Sequence, residues 1–379
     1  GAQVSVAQDG EAATAQSGID EIIVTANKRE QSLQDTAMAI SALSGETIEK
    51  RGLVGMGDYL SSIPVVTIQD RGAGQNSIVI RGLTTEPQGG TSTAGIYFGE
   101  TPITNLGVSS GLGGAGNADI KMVDIERVEV LRGPQGTLYG SGSMGGTVRV
   151  MPNSPNLTDL EGKLATRYSQ TGEQGGDNSM VQAVLNIPLI EDELAIRGVA
   201  YKFDNSGYTE NVVVSQPAAT IATTLAAGAV ASDRDDVGND EYTGFRLSAL
   251  WKPIESLDIT LGYTSQDIEQ DGNPDINLDL AGDYQQRRYN TGAAGSTYEL
   301  LETGIDIVNL VINYDLGWGS LTSSTSSLTY DSAVGLDATH LSGAQPNYWT
   351  GDIDIDRLVQ ELRVTSHLDG SLQFITGLY

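Results

Sequence analysis

The 379 residues contain no cysteine and only two histidines. Without thiols, disulfides and thiolate metal sites are excluded whatever the compartment. His340 and His367 lie far apart, with no acid or nucleophile at a recognisable spacing. No catalytic arrangement is supported, and the chain is not read as an enzyme. Basic side chains are scarce, 21 against 49 acidic ones, for a formal net charge of -28. Such a field repels polyanions, so nucleic acid is not an expected partner. No apolar run reaches the ~18 residues of a transmembrane helix. The most apolar-leaning stretch, residues 218–231, is interrupted by Thr220, Thr223, Thr224 and Gly228. That lack leaves β-barrels open, because their strands carry a weak hydropathy signal.

Glycine is plentiful at 47 residues and charged residues make up 18%, which suits a turn-rich β protein better than a disordered acidic tail. The length exceeds one domain of ~100–200 residues. Residues 1–17 are small, polar and aperiodic, a flexible leader of the kind left after signal-peptide removal. Residues 20–26 are β-prone. A helix is expected over residues 45–51, with Ser44 as N-cap and Gly52 past its end, and a second over residues 56–61, stopped by Pro64. Strands read at residues 65–69, 77–81, 94–98, 126–131 and 147–151, with glycine-rich loops at 70–76 and 104–118. This is an α+β domain of about 150 residues, long enough to bury a core.

Beyond Pro152-Asn153-Ser154-Pro155, a rigid polar linker, the pattern changes. Segments of about ten residues alternate apolar and polar positions, the signature of membrane-crossing strands. Val181, Ala183, Leu185 and Ile187 oppose Gln182, Val184 and Asn186. Phe245, Leu247 and Trp251 oppose Arg246 and Ser248, and Leu358, Leu362 and Val364 oppose Glu361, Arg363 and Thr365. Residues 194–203 mix their faces, and residues 321–330 are mostly Ser and Thr. Short turns near residues 188–193, 252–256, 317–320 and 369–371 alternate with long polar segments at 170–179, 204–241, 266–304 and 331–356. Periplasmic turns and extracellular loops of a barrel give this rhythm, and a soluble sandwich gives no reason for it. About nine strands are expected, and an unpaired edge cannot face lipid, so the chain reads as part of a longer barrel.

Four motifs in order carry a resemblance. Residues 124–150 hold an alternating strand, Arg132-Gly133-Pro134, Leu138-Tyr139-Gly140, Gly145-Gly146 and a second strand. Ile80-Arg81-Gly82 ends an earlier strand. Asp58-Tyr59-Leu60 precedes Pro64-Val65-Val66, with Val65 at a usual glycine. Residues 20–26 include Ile22-Ile23-Val24-Thr25-Ala26. Together they resemble TonB-dependent outer-membrane receptors of Gram-negative bacteria.

The resemblance implies an α+β plug domain followed by antiparallel transmembrane β-barrel strands, about 22 in the full protein. On that reading residues 1–19 are a periplasmic leader, 20–26 a TonB box, 27–155 the plug and 156–379 the first part of the barrel. It implies active uptake of a scarce ligand, a siderophore-like chelate being favoured over oligosaccharide or cobalamin. TonB would dock on Glu21, Ile22, Ile23, Val24, Thr25 and Ala26, energised through ExbB and ExbD, with lipid around the barrel. The bland alternative makes this segment the first strand of the plug sheet. A signal-transducing receptor is disfavoured because only the leader precedes the box. A secreted adhesin is disfavoured by the loop alternation. No cofactor is expected.

Arg81, Arg132, Glu126 and Glu129 lie within apolar strands or at their ends. They are either exposed sheet positions or plug partners for lumen-facing barrel charges such as Glu361 and Arg363. Family analogy makes Arg71, Gln75, Asn76, Asn105, Ser109, Ser110 and Asn117 the ligand-facing groups of the apical plug loops. The spacing Asp271, Asn273, Asp275, Asn277, Asp279 fails as a calcium loop, since Ile276 and Gly282 replace its glycine and closing glutamate. Residues 111–116 lack the lysine and helix of a phosphate loop.

Overall fold

The computed structural model describes residues 23–25, 28–29, 31–32, 34, 38–70, 72–74, 76–83, 92–104, 108–109, 114–115, 118–140, 142–212, 233–277, 280, 282–286, 299–337, 348–368, 370 and 372–379. The plug is built on a five-stranded sheet. Its order is Ile40–Ser44, Ile125–Arg132, Gly146–Pro152, Ala94–Phe98 and Thr101–Pro102. The pair expected from residues 124–150 is antiparallel and central, with Glu129 directly opposite Arg149. Gly146–Pro152 then runs parallel to Ala94–Phe98. Helix Gly45–Arg51 starts where Ser44 accepts from the Thr47 N–H and ends at Gly52, whose φ of 67° needs no side chain. Helix Met56–Leu60 follows. Strand Ile40–Ser44 and the short helix Gly136–Tyr139 were not anticipated.

Strands Val66–Asp70 and Asn76–Ile80 form a separate hairpin, closed where the Arg81 N–H donates to the Val65 carbonyl at 2.9 Å. Ile23–Val24 pairs with Gln31–Ser32 as its own ribbon, outside the five-stranded sheet.

The barrel part is one antiparallel sheet of nine strands among the described residues. In order they are Glu161–Gln170, Asp177–Ile190, Leu194–Asn205, Asn239–Ile254, Leu257–Asp271, Leu300–Asp315, Gly319–Asp337, Tyr348–Ser366 and Ile375–Leu378. The first connection, expected to be long, is only residues 171–176, because both flanking strands run further than the alternation suggested. Short strands Thr209–Asn211, Arg234–Val237 and Gln285–Gln286 add structure to the longer segments.

Along the strands from Leu194 to Ser366 the faces alternate, whereas Glu161–Gln170 and Ile375–Leu378 are exposed on both sides. Leu185, Leu247, Leu261, Val308 and Leu358 are exposed on the outer face, and Leu358 keeps 77% of its surface. Val184, Val199, Arg246, Gln266 and Ser326 are buried on the inner face. An apolar outer band flanked by aromatics at Tyr263, Trp251 and Tyr314 is what lipid requires. The inner face meets the plug instead of water. Ile305, Ile307, Leu328 and Tyr330 of the wall belong to the same core as Ile96, Val128, Val130 and Val148 of the plug. This explains the mixed pattern of residues 194–203: Val199, Tyr201 and Phe203 point inward onto plug residues Ala73 and Val123.

Candidate functional site

The two central plug strands place a carboxylate and a guanidinium side by side in an apolar sheet. Glu129 and Arg149 have fully buried side chains and pair at 3.1 Å. Arg127 approaches the other Glu129 oxygen at 2.8 Å. Into this pair comes the segment after Ile23–Val24. The Thr25 N–H donates to Glu129 Oε1 at 2.9 Å, and Arg149 Nη1 donates to the Thr25 carbonyl at 2.9 Å and also to its hydroxyl. Val24 is wholly buried against Tyr97, Leu131 and Tyr139. The peptide is therefore held at its donor, its acceptor and its neighbouring side chain. Each charge-assisted bond is worth about 1.5–3 kcal/mol, enough to keep the segment seated and small enough to be broken by traction.

Arg149 reaches further. Its Nη2 donates to Glu100 at 2.9 Å, and Glu100 also takes Lys28 Nζ at 2.7 Å. Lys28 lies over the rings of Tyr139 and Tyr97, at 5.1 and 5.5 Å, where the ring faces favour a cation. Barrel residues complete the cluster. Glu361 accepts from Lys28 at 3.3 Å, and Arg363 stands 3.5 Å from Glu100 and bonds Glu361. Burial pushes the Glu100 carboxyl up, but Lys28, Arg149 and Arg363 outweigh it and hold it at about 2. Burial pushes the Tyr139 hydroxyl up to about 12, so it stays a neutral donor toward the Thr25 carbonyl.

A second plug–barrel contact lies along residues 118–124. Asp124 takes Arg197 through two bonds at 2.7 and 2.8 Å, and Arg246 at 3.1 Å. Burial opposes ionisation of Asp124, but these bonds and charges hold its carboxyl below the usual range. Gln266 accepts from the Lys121 N–H and donates to the Asp119 carbonyl, while Tyr201 bonds Gln266 and Tyr242 bonds Asp119.

The anticipated residues are distributed as follows. Glu129, Glu361 and Arg363 enter the first cluster, joined to one another through Arg149, Glu100 and Lys28. Among the described residues Glu126 pairs with its neighbour Arg127 alone. Arg132 contacts the Ile40 carbonyl at 3.5 Å, and Arg81 is exposed; neither has an ion-pair partner among the described residues. Across this boundary the plug supplies mainly carboxylates and the barrel mainly guanidiniums: Glu100 and Asp124 on the plug meet Arg363, Arg197 and Arg246 on the barrel. Ile23, Val24 and Thr25 are placed as above, whereas Glu21, Ile22 and Ala26 lie outside the described residues. Of the apical groups, Asn76 is buried and Ser109 sits in the strand Val108–Ser109. Arg71, Gln75, Asn105, Ser110 and Asn117 lie outside the described residues. Lys28, Glu100 and Arg149 were missed; Arg149, a lone charge between Val148 and Val150, was the visible signal.

Comparison with known proteins agrees with this architecture. Residues 32–147 match the family described as TonB-dependent Receptor Plug Domain. The chain is similar to the vitamin B12 transporter BtuB of Vibrio vulnificus, 31% identical over 142 residues, covering 37% of this chain and 22% of that protein. It is also similar to the iron-regulated outer membrane virulence protein of Vibrio cholerae, 33% identical over 178 residues, covering 46% of this chain and 26% of that protein. Its fold superposes on the ferric yersiniabactin uptake receptor FyuA of Yersinia pestis with a TM-score of 0.69 at 16% identity, over 90% of this chain and 47% of that one. The chain thus spans about half of that receptor and less of the curated relatives. The family match over residues 32–147, together with the nine antiparallel strands that enclose them among the described residues, identifies a TonB-dependent receptor plug domain held against barrel strands of the fold seen in outer-membrane receptors.

Proposed function

We propose that the protein is a TonB-dependent transporter that draws a scarce ligand, a siderophore-like chelate in the first instance, through the outer membrane. One observation supports this most directly: the Ile23–Thr25 segment is clasped by Glu129 and Arg149, and Arg149 is linked through Glu100 to barrel residue Arg363. A pull on the segment therefore loads the plug–barrel contact itself. TonB would pair with this segment through main-chain bonds, taking energy from the proton gradient through ExbB and ExbD. Residues 20–26 serve as the box, 27–155 as the plug and 156–379 as barrel. No covalent chemistry is involved. The chelate preference rests on the receptors that share the fold, among them FyuA, while similarity to BtuB keeps a cobalamin in view.

The test is uptake by cells carrying the full-length receptor, with and without residues 21–26, using labelled ferric siderophores and cyanocobalamin as probes. Loss of energised uptake on deletion, with surface binding retained, supports the reading. Uptake that is indifferent to the deletion ends it.

A further inference from the structure

The Ser/Thr-rich run in strand Gly319–Asp337 is polar on both faces over residues 322–327. Its inner hydroxyls have a use: Ser326 lies 2.8 Å from Thr101 of the plug, and Asn309 bonds Ser324 and Ser326. The outer ones, Ser323, Thr325 and Ser327, turn toward lipid. They sit within the apolar band, because Ile312, Leu310 and Val308 lie opposite them on one side and Leu362, Gln360 and Leu358 on the other. The strand has no other stretch to offer the membrane, since it leaves its turn at Gly319 and meets its first outward charge at Asp331. Gln360 accepts from Thr325 and donates to Ser323 at 3.2 Å. Ser327 has no hydrogen-bond partner among the described residues. Acyl chains offer such groups nothing to bond, so the stripe is costly against lipid. Against protein it is favourable, because in a bilayer proteins associate through close packing of small side chains and hydrogen bonds.

Toward the long connections the same face turns acidic. Asp306, Asp331, Asp352, Asp354 and Asp356 point outward. Asp331 stands directly opposite Asp354, and neither has an ion-pair partner among the described residues. Like charges so placed repel. The basic residues of these three strands, Arg357 and Arg363, turn inward, to the Thr104 carbonyl and to Glu100. A second copy of this chain would set acidic rim against acidic rim, and an anionic lipid surface meets the same repulsion. We propose that the outer face of strands Gly319–Asp337 and Tyr348–Ser366 docks a different outer-membrane protein. That partner offers hydroxyl or amide groups at bilayer depth and lysines or arginines at the rim above them. The inference concerns the lipid-facing side of the wall and does not depend on the transport reading.

The test is photo-crosslinking from the full-length receptor in living cells. Ser327→p-benzoylphenylalanine probes the stripe, and Leu247→p-benzoylphenylalanine probes the apolar band three strands away. The stripe position should give one discrete protein adduct whose partner, identified by peptide mass, is another outer-membrane chain with a basic rim. Thr325→Val with Gln360→Leu should lower its yield about tenfold, as should Asp331→Asn with Asp354→Asn, while the yield from Leu247 stays at background. Both double variants should keep the heat-shifted gel mobility of the folded barrel, since each makes the face more like its lipid-facing neighbours. Adducts with lipid alone, or equal yields from the two positions, overturn the docking face. Adducts with a second copy of the receptor overturn the unlike partner. A yield that ignores the aspartate variant overturns the basic rim, and one that ignores Thr325→Val with Gln360→Leu overturns the stripe. Uptake of ligand is unaffected by any of these outcomes.

Discussion

Glu129 and Arg149 stand opposite each other on neighbouring plug strands, and between them they bind both polar groups of the Thr25 backbone. The carboxylate takes the N–H and the guanidinium takes the carbonyl, and both also bond the Thr25 hydroxyl, so main chain and side chain are held together. Replacing Glu129 with Gln keeps the shape but removes a charge-assisted acceptor worth about 1.5–3 kcal/mol. Release of the segment without TonB should then rise by about one to two orders of magnitude. Reactivity of Val24→Cys in a TonB-deficient strain measures it. An unchanged rate means that the Glu129 carboxylate does not hold the segment.

Acid should unseat the plug. Glu100 has its carboxyl held at about 2, below the ordinary value of 4.5. For a depressed carboxylate the added stability is fully present above the unfolded-state pKa and disappears as pH falls toward the folded-state one. The loss should therefore run from roughly pH 5 down to pH 2, and amounts to about 3 kcal/mol at most. Asp124, also depressed, adds a loss of the same sign. Thermal unfolding of the detergent-solubilised receptor across that range should show a falling Tm. Glu100→Gln should start lower at neutral pH, with three cations left facing one another, and fall less steeply.

The first helix was legible to the residue, because its cap chemistry is local: Ser44 before it and Gly52 after it need no distant partner. Outer barrel faces were legible for a similar reason, since lipid imposes one rule on every outward position. The inner face obeys no single rule. Val199 meets the plug core, Arg246 meets Asp124, and Asn309 meets Ser326. Partners across the plug–barrel boundary depend on a register that sequence spacing does not carry. That is why Glu361 and Arg363 could be placed on the lumen side while Lys28 and Glu100 went unseen.

Val65 lies in the left-handed region, with a φ of 68°. A β-branched residue is strained in the left-handed region, because its Cβ crowds the backbone. The conformation is imposed by the hairpin, whose closing bond runs from the Arg81 N–H to the Val65 carbonyl. Val65 is exposed, so its side chain contributes little packing to offset the strain. Val65→Gly should stabilise the plug by about 1 kcal/mol, seen as a higher Tm with uptake unchanged. A lower Tm would mean that the valine side chain makes contacts worth more than the strain.

Gly244 tests the contact between the wall and residues 118–124. Tyr201 lies opposite it on the neighbouring strand, and the tyrosine ring folds across the glycine to bring its hydroxyl 2.8 Å from Gln266. A Cβ at Gly244 runs into that ring. Gln266 is the residue that binds the plug backbone at Asp119 and Lys121, so displacing Tyr201 disturbs the grip on residues 118–124. Gly244→Ala should cost about 1–3 kcal/mol as an overpacked site. Its particular mark is that Tyr201→Phe, which removes the same hydroxyl without crowding, should loosen the plug less. Limited proteolysis of the plug in the purified receptor ranks the two variants. Equal sensitivity would assign the effect to the lost hydroxyl bond and not to the ring's position over the glycine.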